Sequence, residues 1–153
     1  MKWPCRRIAR LFPAMVVGLM LARGLPAQDQ APDSAGPAVA AAQLAARAWL
    51  SLVDGARYGV SWDSAANLFR RAVTRSAWED AVREARTPFN PLGNRTLLGA
   101  SFQTRLPNAP PGQYVVLQYK AQSGSGKPVV ETVTPMKDED GHWRVSGYYI
   151  RRE

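Results

Sequence analysis

The hydrophobic periodicity of this chain changes once, near Gly93, and this change limits the folds that the chain can adopt. Before Gly93 the apolar residues recur at intervals of three and four, whereas after it they alternate with polar residues. The first spacing is typical of amphipathic helices and the second of half-buried strands. Helices followed by strands with short connections predict an α+β fold, in which about three N-terminal helices pack on a C-terminal four-stranded antiparallel sheet.

Three segments in the first half of the chain carry the helical pattern, and their ends carry boundary signals. These segments are residues 37–54, 58–73 and 76–85. Pro37 suits a first helical turn, and Asp54-Gly55 suits a helix end. Ser76 and Glu79 have the spacing of a capping box, which predicts that the third helix begins at this point.

Four segments in the second half carry the alternating pattern of strands. They are residues 96–106, 114–121, 128–136 and 142–151, separated by loops rich in Pro, Gly and Ser or in acidic residues. Since successive side chains of a strand point to opposite faces, Leu98 and Phe102 should share one face of the first strand. By the same spacing, Trp143, Val145 and Tyr149 should share one face of the last strand.

The first 27 residues have the layout of a secretory signal peptide. Four basic residues precede a twelve-residue apolar run, 11–22, which leads into the sequence RGLPA. A span of the bilayer core needs about 20 apolar residues, so this run is short for a transmembrane helix. We expect cleavage between Ala27 and Gln28, a flexible leader over 28–36 and a single domain over 37–153. This layout predicts a periplasmic or secreted protein with no stable membrane span after signal removal.

Charge and residue counts exclude several classes of function. The formal charge is +8, but five basic residues and no acidic ones lie in the first 27 positions. Without that segment 15 basic residues face 12 acidic ones, and a net charge of +3 does not favour nucleic-acid binding. Cys5 and His142 are single residues of their types, which excludes a disulfide framework, a thiolate metal cluster and a two-imidazole site. We therefore expect no cofactor and no metal.

Three local motifs suggest chemistry, but each fits a structural role better. The acidic run 138–142 lacks the spacing of a calcium loop and predicts a solvated turn. The sequence GSGK at 124–127 lacks phosphate-loop spacing and predicts a hairpin turn. Arg70, Arg71 and Arg75 lie near several acidic residues, which predicts a salt-bridged surface rather than an anion site.

Two segments carry a resemblance to a known family. Ala48–Asp63 (AWLSLVDGARYGVSWD) and Asp140–Arg151 (DGHWRVSGYYIR) resemble the bacterial family called domain of unknown function 4019, and the likeness extends over Ala41–Arg151. The layout is also loosely similar to NTF2-like, or cystatin-like, domains. The family has no established activity, so the resemblance adds a class and not a mechanism, and NTF2-like domains include enzymes, ligand binders and interaction modules.

Aromatic residues in both halves of the chain form the main candidate binding site. The expected pocket residues are Trp49, Tyr58, Trp62, Phe69, Tyr119, Trp143 and Tyr149. A concave site lined by aromatic side chains suits an apolar ligand or the apolar surface of a partner protein. Since no catalytic constellation accompanies these residues, we expect an exported, non-enzymatic binding domain.

Two other functions remain open from the sequence. In the first, the protein is an NTF2-like isomerase or hydrolase, in which Asp63 beside Trp62 acts as a general base with a Tyr hydroxyl. This mechanism requires Asp63 to lie in an enclosed pocket. In the second, the protein is an oligomeric, envelope-associated structural protein with an exposed apolar sheet face. The sequence does not give the oligomeric state.

Overall fold

The computed structural model describes residues 35–153, so the predicted signal peptide and its cleavage between Ala27 and Gln28 lie outside the described residues. Four helices precede four strands, which confirms the α+β prediction with one more helix than expected. The helices are α1 (Ala35–Asp54), α2 (Tyr58–Asp63), α3 (Asn67–Ala72) and α4 (Arg75–Arg86). The strands are β1 (Thr96–Gln103), β2 (Tyr114–Gln122), β3 (Pro128–Lys137) and β4 (Trp143–Arg152). No helix of this part is long and apolar enough to cross a membrane.

The long helix α1 forms because small and straight-chain residues dominate it and an apolar stripe runs along one side. Pro37 lies in its first turn, where a backbone N–H would have no partner within the helix. The buried stripe consists of Ala42, Ala46, Trp49, Leu50 and Val53. Beyond the end of α1, Ala56 adopts a positive φ of 54°, and the Arg57 amide donates back to the Leu52 carbonyl at 2.8 Å.

The second predicted helix is interrupted, and the interruption has a cause in the sheet. The Ala66 amide donates to the Val145 carbonyl of β4 at 2.9 Å, with Ala66 in an extended conformation. A residue that gives its N–H to a strand cannot continue a helix. The following Asn67 amide donates to the Asp138 carboxylate at 3.1 Å, which anchors the start of α3.

The third predicted helix begins earlier than the capping box indicates. Thr74, not Ser76, is the N-cap residue of α4, and its hydroxyl accepts a hydrogen bond from the Ala77 amide at 3.3 Å. Thr74 is extended, whereas Ser76 lies inside the first helical turn. Glu79 forms an ion pair with Arg75 one turn before it. The capping-box prediction is therefore wrong by two residues.

The sheet is an antiparallel meander with the strand order β1-β2-β3-β4. α1 packs against all four strands, and α3 packs against β4. The main core lies between α1 and the sheet, where the sheet contributes Val115, Leu117, Val133 and Val145. β1 and β4 are the edge strands, and each pairs with only one neighbouring strand. The register of that single pairing decides which of their side chains face the core.

A β-bulge in each edge strand reverses part of the predicted face assignment. In β4, Thr134 pairs with Gly147 and Pro135 pairs with Val145, so Ser146 is the extra residue. One extra residue shifts all later side chains to the opposite face. Tyr148 therefore joins the core, and the prediction that Tyr149 shares a face with Trp143 is wrong.

The bulge in β1 has the same effect on its leucines. Leu97 pairs with Tyr119 and Gly99 pairs with Gln118, so Leu98 is the extra residue. Leu97, rather than Leu98, therefore lies on the same face as Phe102. Leu98 is 51% exposed, and the prediction that it faces the core with Phe102 is wrong.

Candidate functional site

Four aromatic side chains pack against one another at the centre of the domain. The Trp78 ring lies 5.5 Å from Trp49, 5.2 Å from Phe69 and 6.2 Å from Tyr148, measured between ring centroids. These tilted and edge-on geometries are the favourable ones for aromatic pairs. The buried Ser61 satisfies both central indoles, because its hydroxyl accepts from Trp78 Nε1 at 2.9 Å and its carbonyl accepts from Trp49 Nε1 at 2.8 Å.

The seven residues predicted to line a pocket fall into three groups in the structure. The buried group is Trp49, Tyr58 and Tyr119. The partly buried group, packed against the core, is Trp62, Phe69 and Trp143. Tyr149 lies on the opposite face of the sheet and is 46% exposed. The structure thus brings Trp49 and Phe69 into the aromatic centre with Trp78, and it does not gather all seven around one cavity.

A groove with a volume of about 490 Å³ lies between α1 and the beginning of β4, and we call it the α1–β4 groove. Its lining residues are Ala45, Ala48, Trp49, Leu52, Ser64, His142, Trp143, Arg144 and Val145. Two predicted pocket residues, Trp49 and Trp143, are among them. The α1 side chains Ala45, Ala48 and Leu52 and the Trp143 side chain of β4 supply apolar lining, whereas Ser64, His142 and Arg144, which we call the polar rim, supply polar lining.

The polar rim of the groove is held by the turn before β4. Arg144 forms ion pairs with Asp138 at 3.2 Å and with Asp140 at 2.6 Å. Hydrogen bonds from Arg144 and from the His142 amide hold the pKa of Asp140 well below its usual range. Among residues 35–153, no group of three His, Cys, Asp or Glu side chains could hold a metal ion.

Asp63 lies at the end of α2, where solvent reaches it. Its side chain is 50% exposed and forms an ion pair with Arg75 at 3.4 Å. The neighbouring Trp62 donates its indole N–H to the Val73 carbonyl at 2.8 Å. The general-base mechanism needs an enclosed carboxylate, and this position does not enclose Asp63.

A second candidate site is formed by four charged residues, Asp54, Arg86, Arg95 and Glu131, which we call the buried charge network. Arg95 bridges the two acids: its Nη1 and Nη2 atoms donate to Asp54 at 2.7 and 2.8 Å, and its Nε donates to Glu131. Arg86 donates to Asp54 at 2.6 Å and lies 3.5 Å from Glu131. The side chains of Glu131 and Arg86 are only 0% and 2% exposed, so their charges depend on these partners.

Tyr148 connects the buried charge network to the aromatic centre. Its hydroxyl donates to the Glu131 carboxylate, and its ring lies 5.5 Å from Trp49. Burial and the Glu131 charge raise the pKa of Tyr148, although the Arg86 charge acts in the opposite sense. The Tyr148 hydroxyl therefore stays protonated at neutral pH and remains a donor.

Two members of the network, Asp54 and Arg86, line a second cavity with a volume of about 410 Å³. The cavity is lined by Asp54, Arg86, Asn90, Pro91 and Leu92. Burial alone would raise the pKa of Asp54, but hydrogen bonds and charges from Arg95 and Arg86 outweigh burial and lower it. Burial alone would lower the pKa of Arg95, but Asp54 and Glu131 outweigh burial and raise it above its usual range. Both groups therefore stay ionised at neutral pH.

Comparison with known proteins assigns the family. A protein-family model described as "Protein of unknown function (DUF4019)" matches residues 45–148. The chain belongs to the DUF4019 family. The matched region of this DUF4019 protein contains all lining residues of the α1–β4 groove and all four members of the buried charge network. No curated protein and no solved structure matches the chain, so the likeness to NTF2-like domains stays a prediction.

Sequence reasoning missed the buried charge network of the DUF4019 domain, although two positions carry a signal. Glu131 replaces an apolar residue in the alternating series that contains Val129 and Val133. Arg86 continues the four-residue spacing of Trp78 and Val82 along the buried side of α4. A charged residue at a position that the pattern marks as buried predicts a buried partner of opposite charge.

The lowered pKa of Asp54 predicts that acid destabilises this DUF4019 protein. Since the pKa of Asp54 is lower in the folded state than its ordinary value of 3.8, its contribution is fully present above that value. The contribution is lost as the pH falls through the folded-state pKa. We expect Asp54→Asn to lower the free energy of unfolding by about 1 kcal/mol at pH 7, a modest figure because solvent reaches Asp54.

Denaturant unfolding of both proteins between pH 7 and pH 2.5 measures this contribution. The difference between wild type and Asp54→Asn should shrink below about pH 4. The pKa of Asp140 is also lowered, so the difference, rather than the wild-type curve alone, isolates Asp54. Asp80→Asn, in an exposed pair with Arg83, is the control. A difference that stays constant down to pH 2.5 would contradict the assignment to Asp54.

Proposed function

We propose that this DUF4019 protein is an exported, non-enzymatic binding protein, whose α1–β4 groove takes an apolar group of a small ligand or of a partner protein. The observation that carries the proposal is the groove itself: Trp49 and small residues of α1, together with the partly buried Trp143 of β4, line a volume of about 490 Å³. That volume lies within the range of small-ligand sites.

The composition of the groove supports an apolar occupant. Ala45, Ala48 and Leu52 contribute only aliphatic surface from α1, and Trp143 contributes an aromatic face. Arg144 is paired with two aspartates, so its positive charge is not available to attract an anionic ligand. An apolar group that enters this groove removes aliphatic and aromatic surface from water on both sides.

The N-terminal sequence supports export. The basic start, the short apolar run and the residues around Ala27 have the layout that a signal peptidase recognises. Export predicts that protein recovered from the periplasm begins at Gln28. An intact mass that still contains the first 27 residues would contradict this part of the proposal.

Ala48→Leu tests the groove, because Ala48 lines it and is exposed on α1. The larger side chain fills the groove, so we expect the affinity for the apolar dye Nile red, followed by fluorescence titration, to fall about tenfold. Ala40→Leu is the matched control, since Ala40 is exposed on the same helix and does not line the groove. Equal dye binding by all three proteins, or none by the wild type, would refute the groove as a binding site.

Native mass spectrometry of protein from the periplasm then separates the two kinds of occupant. Extra mass on the wild type that is missing from Ala48→Leu indicates a retained small ligand. A bare mass together with dye binding in the groove favours the apolar group of a partner protein. Extra mass that Ala48→Leu retains in full would place the ligand elsewhere and contradict the proposal.

A further inference from the structure

The strand β1 forms an edge of the sheet that the rest of the described chain leaves open. Among residues 35–153, β1 pairs only with β2, and seven of its eight residues are exposed. The range Thr96–Gln103 contains no charged residue and no proline, which are the residues that commonly protect an edge strand from pairing. The backbone N–H and C=O groups on the outer side of β1 are therefore available to a further strand.

The other edge of the sheet, β4, is partly closed. The Ala66 amide donates to the Val145 carbonyl, which places the residue before α3 against this strand. The bulge at Ser146 interrupts β4, and the exposed Arg151 and Arg152 lie at its end. Bulges and charged side chains both keep an edge from pairing with another strand. The described part of the chain thus offers one open edge, β1.

The regular part of β1 is complementary to itself. The bulge at Leu98 leaves residues 99–103 in unbroken register with β2, and Ser101 is the centre of this segment. If two copies pair antiparallel about Ser101, Phe102 of each copy lies opposite Ala100 of the other. Both residues pair with core residues of β2, so they belong to the face that packs on the helices. This register therefore keeps core-facing side chains together and sets a large residue opposite a small one.

A second copy of the chain also suits this edge by charge. The segment 99–103 contains no charged residue, so pairing it with itself sets no like charges opposite each other. Arg105 follows β1, and pairing about Ser101 brings it opposite Leu97 of the other copy rather than opposite another arginine. The aliphatic part of an arginine side chain can cover such a leucine, which is 38% exposed in the single chain.

We propose that two copies of this DUF4019 protein pair antiparallel through β1, with Ser101 facing Ser101 across a two-fold axis. The dimer contains one continuous sheet, with four strands from each copy. Pairing satisfies the open backbone groups of β1 and covers Leu97 and Leu98, two exposed apolar side chains. Because both copies use the same edge, the assembly closes at two copies. The α1–β4 groove lies at the opposite edge of the sheet and stays open in the dimer.

Sedimentation equilibrium of the purified protein tests the dimer. We expect a Kd on the order of 10 µM, because one short strand buries a small interface. Ser101→Lys and Ser101→Glu each set like charges opposite one another and should weaken the dimer about fivefold. In an equal mixture the new lysine of one variant faces the new glutamate of the other, so the mixture should dimerise at least as tightly as the wild type.

Tyr149→Lys is the matched control, since it adds the same charge at an exposed position of the opposite edge strand. It should dimerise as the wild type does. A protein that is monomeric at every concentration, an assembly larger than a dimer, or a dimer that Ser101→Lys leaves unchanged would overturn the proposal. No recovery in the mixture of the two Ser101 variants would overturn the pairing of Ser101 with itself.

Hydrogen exchange of the wild type locates the interface without relying on any variant. Backbone amides of residues 99–103 that point away from β2 should exchange more slowly above the Kd than below it. Equally slow exchange of these amides at every dilution would mean that another segment of the same chain covers β1, and it would contradict the dimer. Concentration-dependent protection confined to β4 would place the interface at the other edge and contradict it too.

Discussion

Glu131→Gln is expected to lower the free energy of unfolding by about 3–5 kcal/mol, because it removes one partner from a buried set of charges. Glu131 is completely buried on β3, where Arg95 and Tyr148 donate to its carboxylate and Arg86 lies 3.5 Å away. Glutamine keeps the size and an acceptor oxygen, but it removes the charge. Arg86 and Arg95 would then share the single carboxylate of Asp54. Denaturant unfolding at pH 7 measures the loss.

The double variant Arg86→Met/Glu131→Leu separates the contribution of the buried charges to stability from that of the space that the side chains fill. Replacing a buried ion pair by apolar residues of similar volume is often neutral or stabilising. The remaining pair of Arg95 and Asp54 is neutral and bidentate, so the double variant should recover at least half of the loss. As a control, Asp80→Asn breaks the exposed pair with Arg83 and should cost less than about 0.5 kcal/mol. A double variant less stable than Glu131→Gln would show that the charges themselves are required.

The succession of helices and strands can be predicted from the sequence because it depends on local periodicity. Each strand in the structure begins and ends within a few residues of its predicted range. Local spacing also places Ala46, Trp49 and Val53 on the buried side of α1. These features need only the residues that lie within one or two turns of each other.

The faces of the edge strands could not be predicted because one inserted residue changes them. Strict alternation places Tyr149 in the core, whereas the bulge at Ser146 places Tyr148 there and exposes Tyr149. The side chain of Ser146 donates to the Thr134 carbonyl at 2.8 Å, an interaction across two strands. A bulge of this kind depends on the partner strand, which period-two spacing within β4 does not report.

The sequence pattern can identify single members of the buried charge network, but it does not show which residues pair with them. The pattern marks Glu131 and Arg86 as charges at buried positions, yet their partners come from distant segments. Asp54 ends α1, 32 residues before Arg86 and 41 before Arg95, and Arg95 lies 36 residues before Glu131. No local spacing links four such positions. The break at Ala66 has the same origin, since the acceptor of its amide lies on β4.

Trp78→Ala is expected to lower the free energy of unfolding by about 3–5 kcal/mol, because it leaves a cavity in the aromatic centre. Trp78 is 6% exposed, and its ring contacts Trp49, Phe69 and Tyr148. The substitution also removes the indole donor from the buried Ser61 hydroxyl. Denaturant unfolding measures the decrease in the free energy of unfolding. Near-ultraviolet circular dichroism shows whether the other aromatic rings remain ordered.

Trp78→Phe is the matched control, since it keeps an aromatic ring and removes the indole N–H. Trp78→Phe should lower the free energy of unfolding by about 1–2 kcal/mol, mainly because of the lost hydrogen bond and the smaller ring. Equal losses in the two variants would show that ring packing contributes little to stability. Because Trp78 does not line the α1–β4 groove, folded Trp78→Phe should bind Nile red as the wild type does. Weaker binding by Trp78→Phe would mean that the groove and the aromatic centre are coupled through Trp49, which belongs to both.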